Sequence, residues 1–210
     1  MRSCRLISLI SCALKPVDEI TSAPHERTWA CAMGWQGQPD GLVPTAAWLA
    51  RQHGLPQPAE LTGWALLTPA HWRLGTEQVS LTDPAGLVLD EAQSRAFFET
   101  IRELFESEGF GLHWIQPTSW LCHHPQLMDL PVASLDRVIG RNVDRWLGSD
   151  PRARLVRRLQ NEVQMLLHEH PLNQAREARG EWPVNSIWLS GCGRLPASSG
   201  PTEDQVQVYE

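Results

Sequence analysis

Lysine is almost missing from this chain. Of its 18 basic residues, 17 are Arg and only Lys15 is Lys. Long apolar runs are missing too. None reaches the ~18 residues needed to cross a bilayer, so no membrane span is expected. No Cys pair has the C-x-x-C spacing of zinc or redox sites. The five cysteines (Cys4, Cys12, Cys31, Cys122 and Cys192) are odd in number and irregularly spaced, which points to free thiols in a reducing, cytoplasmic setting. The G-x-S-x-G nucleophile elbow, the P-loop Lys and the G-x-G-x-x-G fingerprint are absent. So is His-x-x-x-His, which would place two metal ligands on one helix face. A net charge of −6 argues against a nucleic-acid binder that neutralises phosphates over its whole surface.

What is present fits a globular chain. At 210 residues it can bury roughly 70% of its unfolded surface without disulfides or a structural metal. Of its 15 aromatic residues, 10 are Trp. Each ring is large and its N–H wants a partner when buried, so an aromatic core or a ligand groove is expected.

Residues 1–20 form an atypical amino-terminal segment. Leu9-Ile10-Ser11-Cys12 loosely matches a lipoprotein cleavage motif, but the apolar stretch before it is short and interrupted by Ser8. A core strand or an out-of-family start is the favoured expectation. Residues 21–195 are expected to form one α+β domain, and the small, polar stretch 196–210 a disordered tail.

Within that domain, short helices are expected over 24–33 and 44–53, the first opened by Pro24. Trp64 to Leu67 reads as a buried strand stopped by Pro69, and Gln78 to Thr82 alternates at the strand period. Asp90, with Gln93 three residues on, caps a helix whose stripe is Phe97, Phe98, Ile101, Leu104 and Phe105. Leu112 to Ile115 and Ser119 to Cys122 read as strands. A helix is expected from Ser134 towards Trp146. Another follows Asp150-Pro151 and runs to about His168. A short one ends at Gly180, and Ser186 to Ser190 is a last strand. The order predicts a mixed or antiparallel sheet with a helical second half.

Charge is unevenly spread. Residues 83–108 hold seven acids and two Arg, for a net of −5; residues 137–158 hold seven Arg and two Asp, for a net of +5. The two segments either pair with one another, stay solvated, or present an Arg cluster to an anion. Guanidinium forks match phosphate and carboxylate. The acidic total favours a small anion or an acidic protein partner over nucleic acid. His71, Trp72 and Arg73 follow the first buried strand, where a loop can reach a ligand. His123 and His124 are adjacent on a strand, so they point to opposite faces and cannot both bind one ion.

Several segments taken in order resemble a known bacterial group. They are Pro24-His25-Glu26-Arg27, Asp40-Gly41-Leu42-Val43-Pro44, Thr68-Pro69-Ala70-His71-Trp72-Arg73, and Leu89-Asp90-Glu91-Ala92-Gln93-Ser94-Arg95. The series goes on with the run from Ala133 to Asp144, then Arg158-Leu159-Gln160-Asn161-Glu162, then His170-Pro171-Leu172-Asn173, and last the run from Pro183 to Gly191. From about residue 20 to 196 the chain resembles the RpfE-type regulatory proteins, a group also described as phosphoglycerate mutase-like. Residues His170, Asn173, Arg176, Gly180, Asn185, Gly191 and Gly193 are also similar to a stretch of cofactor-independent phosphoglycerate mutases. Those enzymes need an Asp-Gly after an amino-terminal strand, a Ser nucleophile and a metal-binding Asp/His set. This chain lacks that apparatus: its Asp40-Gly41 follows Gln38-Pro39, and it ends where the carboxy-terminal ligands would begin. A shortened or frame-shifted family member is therefore an expectation.

The resemblance and the residues together imply a non-catalytic regulatory or small-anion-binding protein that needs no cofactor. His71, Trp72, Arg73, Arg137, Arg141, Arg176 and Asn185 are its expected ligand contacts. The rival is a phosphoryl-transfer enzyme using Mn or Mg, with Asp136, Glu162, His168 and His170 as ligands or acid/base groups. A third reading is a protein-interaction module using exposed Trp.

Overall fold

The protein is described by a computed structural model over residues 20–35, 37–56, 61–76, 78–147 and 150–196. The expectations for residues 1–19 and 197–210 lie outside the described residues. The elements are α1 (Pro24–Ala32), α2 (Thr45–Gln52), β1 (Gly63–Ala70), β2 (Trp72–Leu74), β3 (Val79–Leu81), α3 (Glu91–Ser107), β4 (Gly111–Gln116), β5 (Ser119–His124), α4 (Leu135–Val138), α5 (Arg154–His168), α6 (Pro171–Ala178) and β6 (Ser186–Gly193). Four strands form one sheet in the order β4-β5-β1-β6, and every pairing in it is antiparallel. The hairpin β2-β3 stands apart. This is the α+β class expected, with three of the six described α-helices after β5.

Alternation along the strands sorts the side chains to two faces. Ala65, Leu67, Trp120, Cys122, Ile187 and Leu189 pack with Phe97, Phe98, Ile101 and Phe105 of α3 and Leu159, Val163 and Leu167 of α5. Trp64, Leu66 and Leu121 face the other way, onto Ala46, Ala47 and Ala50 of α2. The small alanines let α2 lie close to the sheet.

Helix α3 forms as its sequence dictates. The Asp90 carboxylate accepts from the Gln93 N–H at 2.7 Å, and the Phe-rich stripe is buried. Ser94 on the same helix is fully buried. Its hydroxyl accepts both indole N–H groups of the cross-strand pair Trp114 and Trp120, at 2.9 and 3.0 Å. It donates in turn to the Pro117 carbonyl at 2.7 Å. One hydroxyl thus satisfies two tryptophans whose N–H groups would otherwise be costly to bury.

Three elements differ from expectation. First, β1 continues through Pro69 to Ala70. Beyond Leu67 it pairs with β6 alone, so the missing N–H of Pro69 falls where no second strand needs it. Second, the helix after Ser134 is one turn long. Gly140, at φ +72°, ends it, and a separate 3₁₀ turn follows at 143–145. Third, Trp72 to Leu74 forms a strand.

Near the amino end, the Asp40 carboxylate accepts the backbone N–H groups of Thr21 and Ser22 at 3.1 and 2.9 Å. Ser134 accepts the N–H of Ala23 at 2.9 Å and donates to the Glu26 carboxylate. These bonds fasten α1 to α4. Burial, opposed by the Ser134 hydrogen bond, pushes the Glu26 carboxyl above its usual range.

Candidate functional site

The segment Trp182-Pro183-Val184-Asn185, just ahead of β6, is held at every residue. Arg176 is buried in α6. Its Nε donates to the Trp182 carbonyl at 2.9 Å, one terminal nitrogen to Gln93 Oε1 at 2.6 Å, and the other to the Leu87 carbonyl at 2.5 Å. His71 Nδ1 lies 2.9 Å from the Pro183 carbonyl. A carbonyl only accepts, so Nδ1 carries the proton and Nε2 holds the lone pair of the neutral ring. Burial holds the His71 pKa below its ordinary value; the bond to Pro183 opposes this and Arg73 adds to it. Asn173 is buried. It clasps Val184 on both sides, accepting its N–H at 2.9 Å and donating to its carbonyl at 2.8 Å. Asn185 does the same to Trp72, at 2.7 and 2.9 Å.

The other residues of the mutase-like pattern also serve the frame. The His170 side chain accepts from the Leu172 N–H at 3.2 Å, capping α6. Its Nε2 then carries the proton and donates to Thr100 Oγ1, 3.1 Å away. Gly191 has φ +64°, and a Cβ there would overlap Thr45 Oγ1, so only glycine fits where α2 crosses β6. The neighbouring Cys192 is fully buried. Burial raises its thiol pKa well above the ordinary value, so it presents no thiolate.

A second arrangement gathers cations. Hairpin β2-β3 is joined to the segment after α4 by two isolated bridges, Ser80 to Asn142 and Leu81 to Ile139. Arg73 pairs with Ser80 across the hairpin. Arg73 and Arg141 therefore lie on joined backbone segments although 68 positions part them in sequence. Beneath, Trp72 packs with Trp146, Leu81, Val138, Val143 and Trp188 in one apolar cluster. The guanidinium carbons of Arg137 and Arg141 lie 5.6 and 5.9 Å from the Trp146 ring centroid, within cation–π range. Arg137 Nε also donates to the Ile20 carbonyl at 2.8 Å. Among the described residues, Arg73, Arg141 and Arg145 form no ion pair with a carboxylate. The Trp72 indole N–H is shut off from solvent without a hydrogen-bond partner.

The expected ligand residues thus divide in two. Arg176, Asn185 and His71 hold the 182–185 segment, Arg137 and Arg141 lie beside Trp146, and Arg73 is exposed on β2. Trp72 belongs to both groups, by its backbone and its ring respectively. The acidic and basic segments meet at the ion pair Arg158–Glu108, 2.6 Å, between α5 and α3.

A cleft of about 500 Å³ opens beside Arg176, lined by Gly86, Leu87, Val88, Gln93, Gly180, Glu181 and Trp182. Trp182 was not singled out by sequence, yet it is the exposed one of the ten tryptophans, at 46%. Its ring stacks on His71 at 5.8 Å. Val88 on the rim is left-handed, at φ 47°, a strained conformation for a β-branched residue. The charges of the cleft are already engaged, because Glu181 pairs with Arg179 at 2.7 Å and with Arg176 at 3.4 Å.

The rival metal set does not come together. Asp136 lies 3.5 Å from His25, Glu162 lies 3.8 Å from Arg158, and His168 is exposed at the end of α5. Among the described residues, no three His, Cys, Asp or Glu side chains form a group that could hold a metal ion. The residues present therefore do not fit a metal at Asp136, Glu162, His168 and His170. No helix among the described residues is long and apolar enough to cross a membrane.

No family model and no curated protein matches the chain. Among solved structures, the fold is similar to that of the cofactor-independent phosphoglycerate mutase from Thermoplasma acidophilum DSM 1728, with a TM-score of 0.56 and 16% identity. That match covers 74% of this chain and 42% of the enzyme, so the chain spans well under half of the enzyme's length. A weaker likeness, at TM-score 0.47 and 14% identity, joins 83% of this chain to 38% of the PH0037 protein from Pyrococcus horikoshii. The chain thus has a fold distantly similar to part of a phosphoglycerate mutase.

Proposed function

We propose that this protein binds a small anion at the Arg73, Arg137, Arg141 and Trp146 surface and acts as a regulatory protein rather than a catalyst. The observation that carries the reading is the placing of the Arg137 and Arg141 guanidinium groups 5.6 and 5.9 Å from the Trp146 ring, with Arg141 exposed and in no ion pair with a carboxylate among the described residues. Forked guanidinium donors recognise phosphate and carboxylate groups. The fold similarity supports a phosphorylated three-carbon acid as the first class of ligand to try. The RpfE-type resemblance over residues 20–196 supports a regulatory role. So does the use of Asn173, Arg176 and Asn185 as framework, since each binds backbone groups of the chain itself.

The test is a thermal-shift and calorimetric titration with 2- and 3-phosphoglycerate and inorganic phosphate. At least one should raise the melting temperature, and Arg141→Gln should remove the shift. No shift with any of them would overturn the anion reading. Mutase or phosphatase turnover with Mn²⁺ that vanishes in His170→Ala would overturn the non-catalytic one.

A further inference from the structure

Trp182 has no task in the anion surface, yet it is both exposed and held in one place. It is 46% exposed. Its carbonyl accepts from Arg176 Nε at 2.9 Å. One face of its ring lies on the His71 imidazole, with the two planes 11° apart. Gly86, in the turn before α3, closes on the same ring, since a Cβ there would come within 2.9 Å of Trp182 Cζ3. The exposed remainder of the ring is therefore a fixed apolar wall of the cleft beside Arg176. Its volume of about 500 Å³ is that of a small-molecule site. An aromatic surface fixed in advance costs little entropy when a ligand settles on it.

The cleft favours neither an anion nor a cation. Glu181 accepts from Arg179 at 2.7 and 3.0 Å and pairs with Arg176 at 3.4 Å. Asp90 lies within electrostatic reach of both arginines. The two positive and two negative groups balance. The wall on the α3 side belongs to residues 83–108, whose net charge of −5 repels phosphate. Hydrogen-bonding capacity remains, however. Gln93 turns its Oε1 to Arg176 at 2.6 Å, which fixes the amide and leaves its Nε2 donors without a partner among the described residues. The Glu181 side chain is 40% exposed and keeps acceptor capacity beyond its arginine partners. A matching ligand is uncharged, lays an apolar face on Trp182, and carries groups that both donate and accept. A pyranose ring meets all three conditions, through its C–H face and its hydroxyls.

We propose that the cleft between the 84–88 turn, α3 and residues 180–182 binds a neutral sugar, with its C–H face on Trp182 and its hydroxyls on Gln93 Nε2 and the Glu181 carboxylate. Val88 on the rim suits a clamp. It is a β-branched residue at φ 47° with 83% of its surface exposed, and strain of this kind collects at ligand sites. A nucleobase also stacks on tryptophan, but a nucleotide brings phosphate to an acidic wall. The site shares no residue with Arg137, Arg141 and Trp146.

The experiment titrates the full chain with methyl glucoside, methyl galactoside, N-acetylglucosamine, maltose and cellobiose, with adenosine as the planar uncharged comparison. Binding is read from the indole N–H NMR signal of Trp182 and from acrylamide quenching of the fluorescence. At least one sugar should move that signal saturably and shield the exposed tryptophan from the quencher. Trp182→Ala should weaken the binding by about tenfold or more. Gln93→Glu keeps an acceptor for Arg176 and removes the Nε2 donors, so it should weaken sugar binding with the frame intact. No saturable shift with any sugar, binding unaltered in a folded Trp182→Ala, or adenosine binding more tightly than every sugar would overturn the proposal. If Trp182→Ala fails to fold, Gln93→Glu and the Trp182 signal of the unaltered chain decide.

Discussion

Arg176 and Arg141 are the same residue type in opposite settings. The Arg176 side chain is 2% exposed, and all three of its nitrogens donate to acceptors inside the protein. Arg141 is exposed, lies over the Trp146 ring and has no carboxylate partner among the described residues. The comparison teaches that an Arg matching an enzyme-like pattern can be entirely framework, while the Arg available to a ligand lies outside that pattern. The polar residues of the mutase-like stretch hold residues 182–185 against β2 and α6. The proposed anion surface is built from segments the pattern does not include.

The sharpest way to break this comparison is to remove the buried Arg. Arg176→Met leaves the Trp182 and Leu87 carbonyls and the Gln93 amide without their donor. It should lower unfolding stability by about 3–5 kcal/mol in urea denaturation. Any folded fraction should bind anions as before. Asn173→Ala removes three hydrogen bonds, to Val184 twice and to Leu167. An expected loss of about 2–3 kcal/mol, again by urea denaturation, would confirm that the 182–185 lock is structural.

Acid should loosen the frame more gently. The pKa values of His71, His113, His123, His124 and His170 are all lowered, in each case mainly by burial. The unfolded chain then binds more protons than the folded one below the ordinary value of 6.5. The stability these groups contribute is fully present above pH 6.5 and is lost as pH falls through their folded values. Glu26 has the opposite sign: its raised pKa favours the folded state below 4.5 and loses that contribution as pH rises. A denaturation series from pH 8 to 5 should therefore fall steadily below 6.5. A flat profile would deny that these imidazoles are buried neutral.

The smallest stability effect belongs to the exposed cation. Arg141→Gln should leave stability within about 0.5 kcal/mol, measured by the same urea denaturation, yet remove the thermal shift given by the anion. A variant with no stability change and a large binding change is the mirror image of Arg176→Met.

Much of the fold was legible in the sequence because its signals are local. The Asp90 cap, the Phe stripe of α3 and the strand tryptophans depend on a few residues each, and all are where their periodicity puts them. The strand β2 was not legible. Three residues carry no period, and only the hairpin pairing with residues 79–81 reveals them as a strand. The same limit applies to the candidate sites. Adjacency correctly separates His123 from His124, but only the register of β4 against β5 brings His113 beside His123. Arg73 and Arg141 stood out as charged residues, whereas the joining of their segments depends on two isolated bridges. Trp182 gave no local signal, because its role comes from stacking on His71, 111 positions earlier.

The central claim is that anion binding belongs to the Trp146 surface and not to the mutase-like residues. Calorimetric titration of 3-phosphoglycerate into the unaltered chain, Arg141→Gln and Asn185→Ala tests it most directly. The account predicts binding that is lost in Arg141→Gln and kept in Asn185→Ala. Binding kept in Arg141→Gln and lost in a folded Asn185→Ala would contradict it.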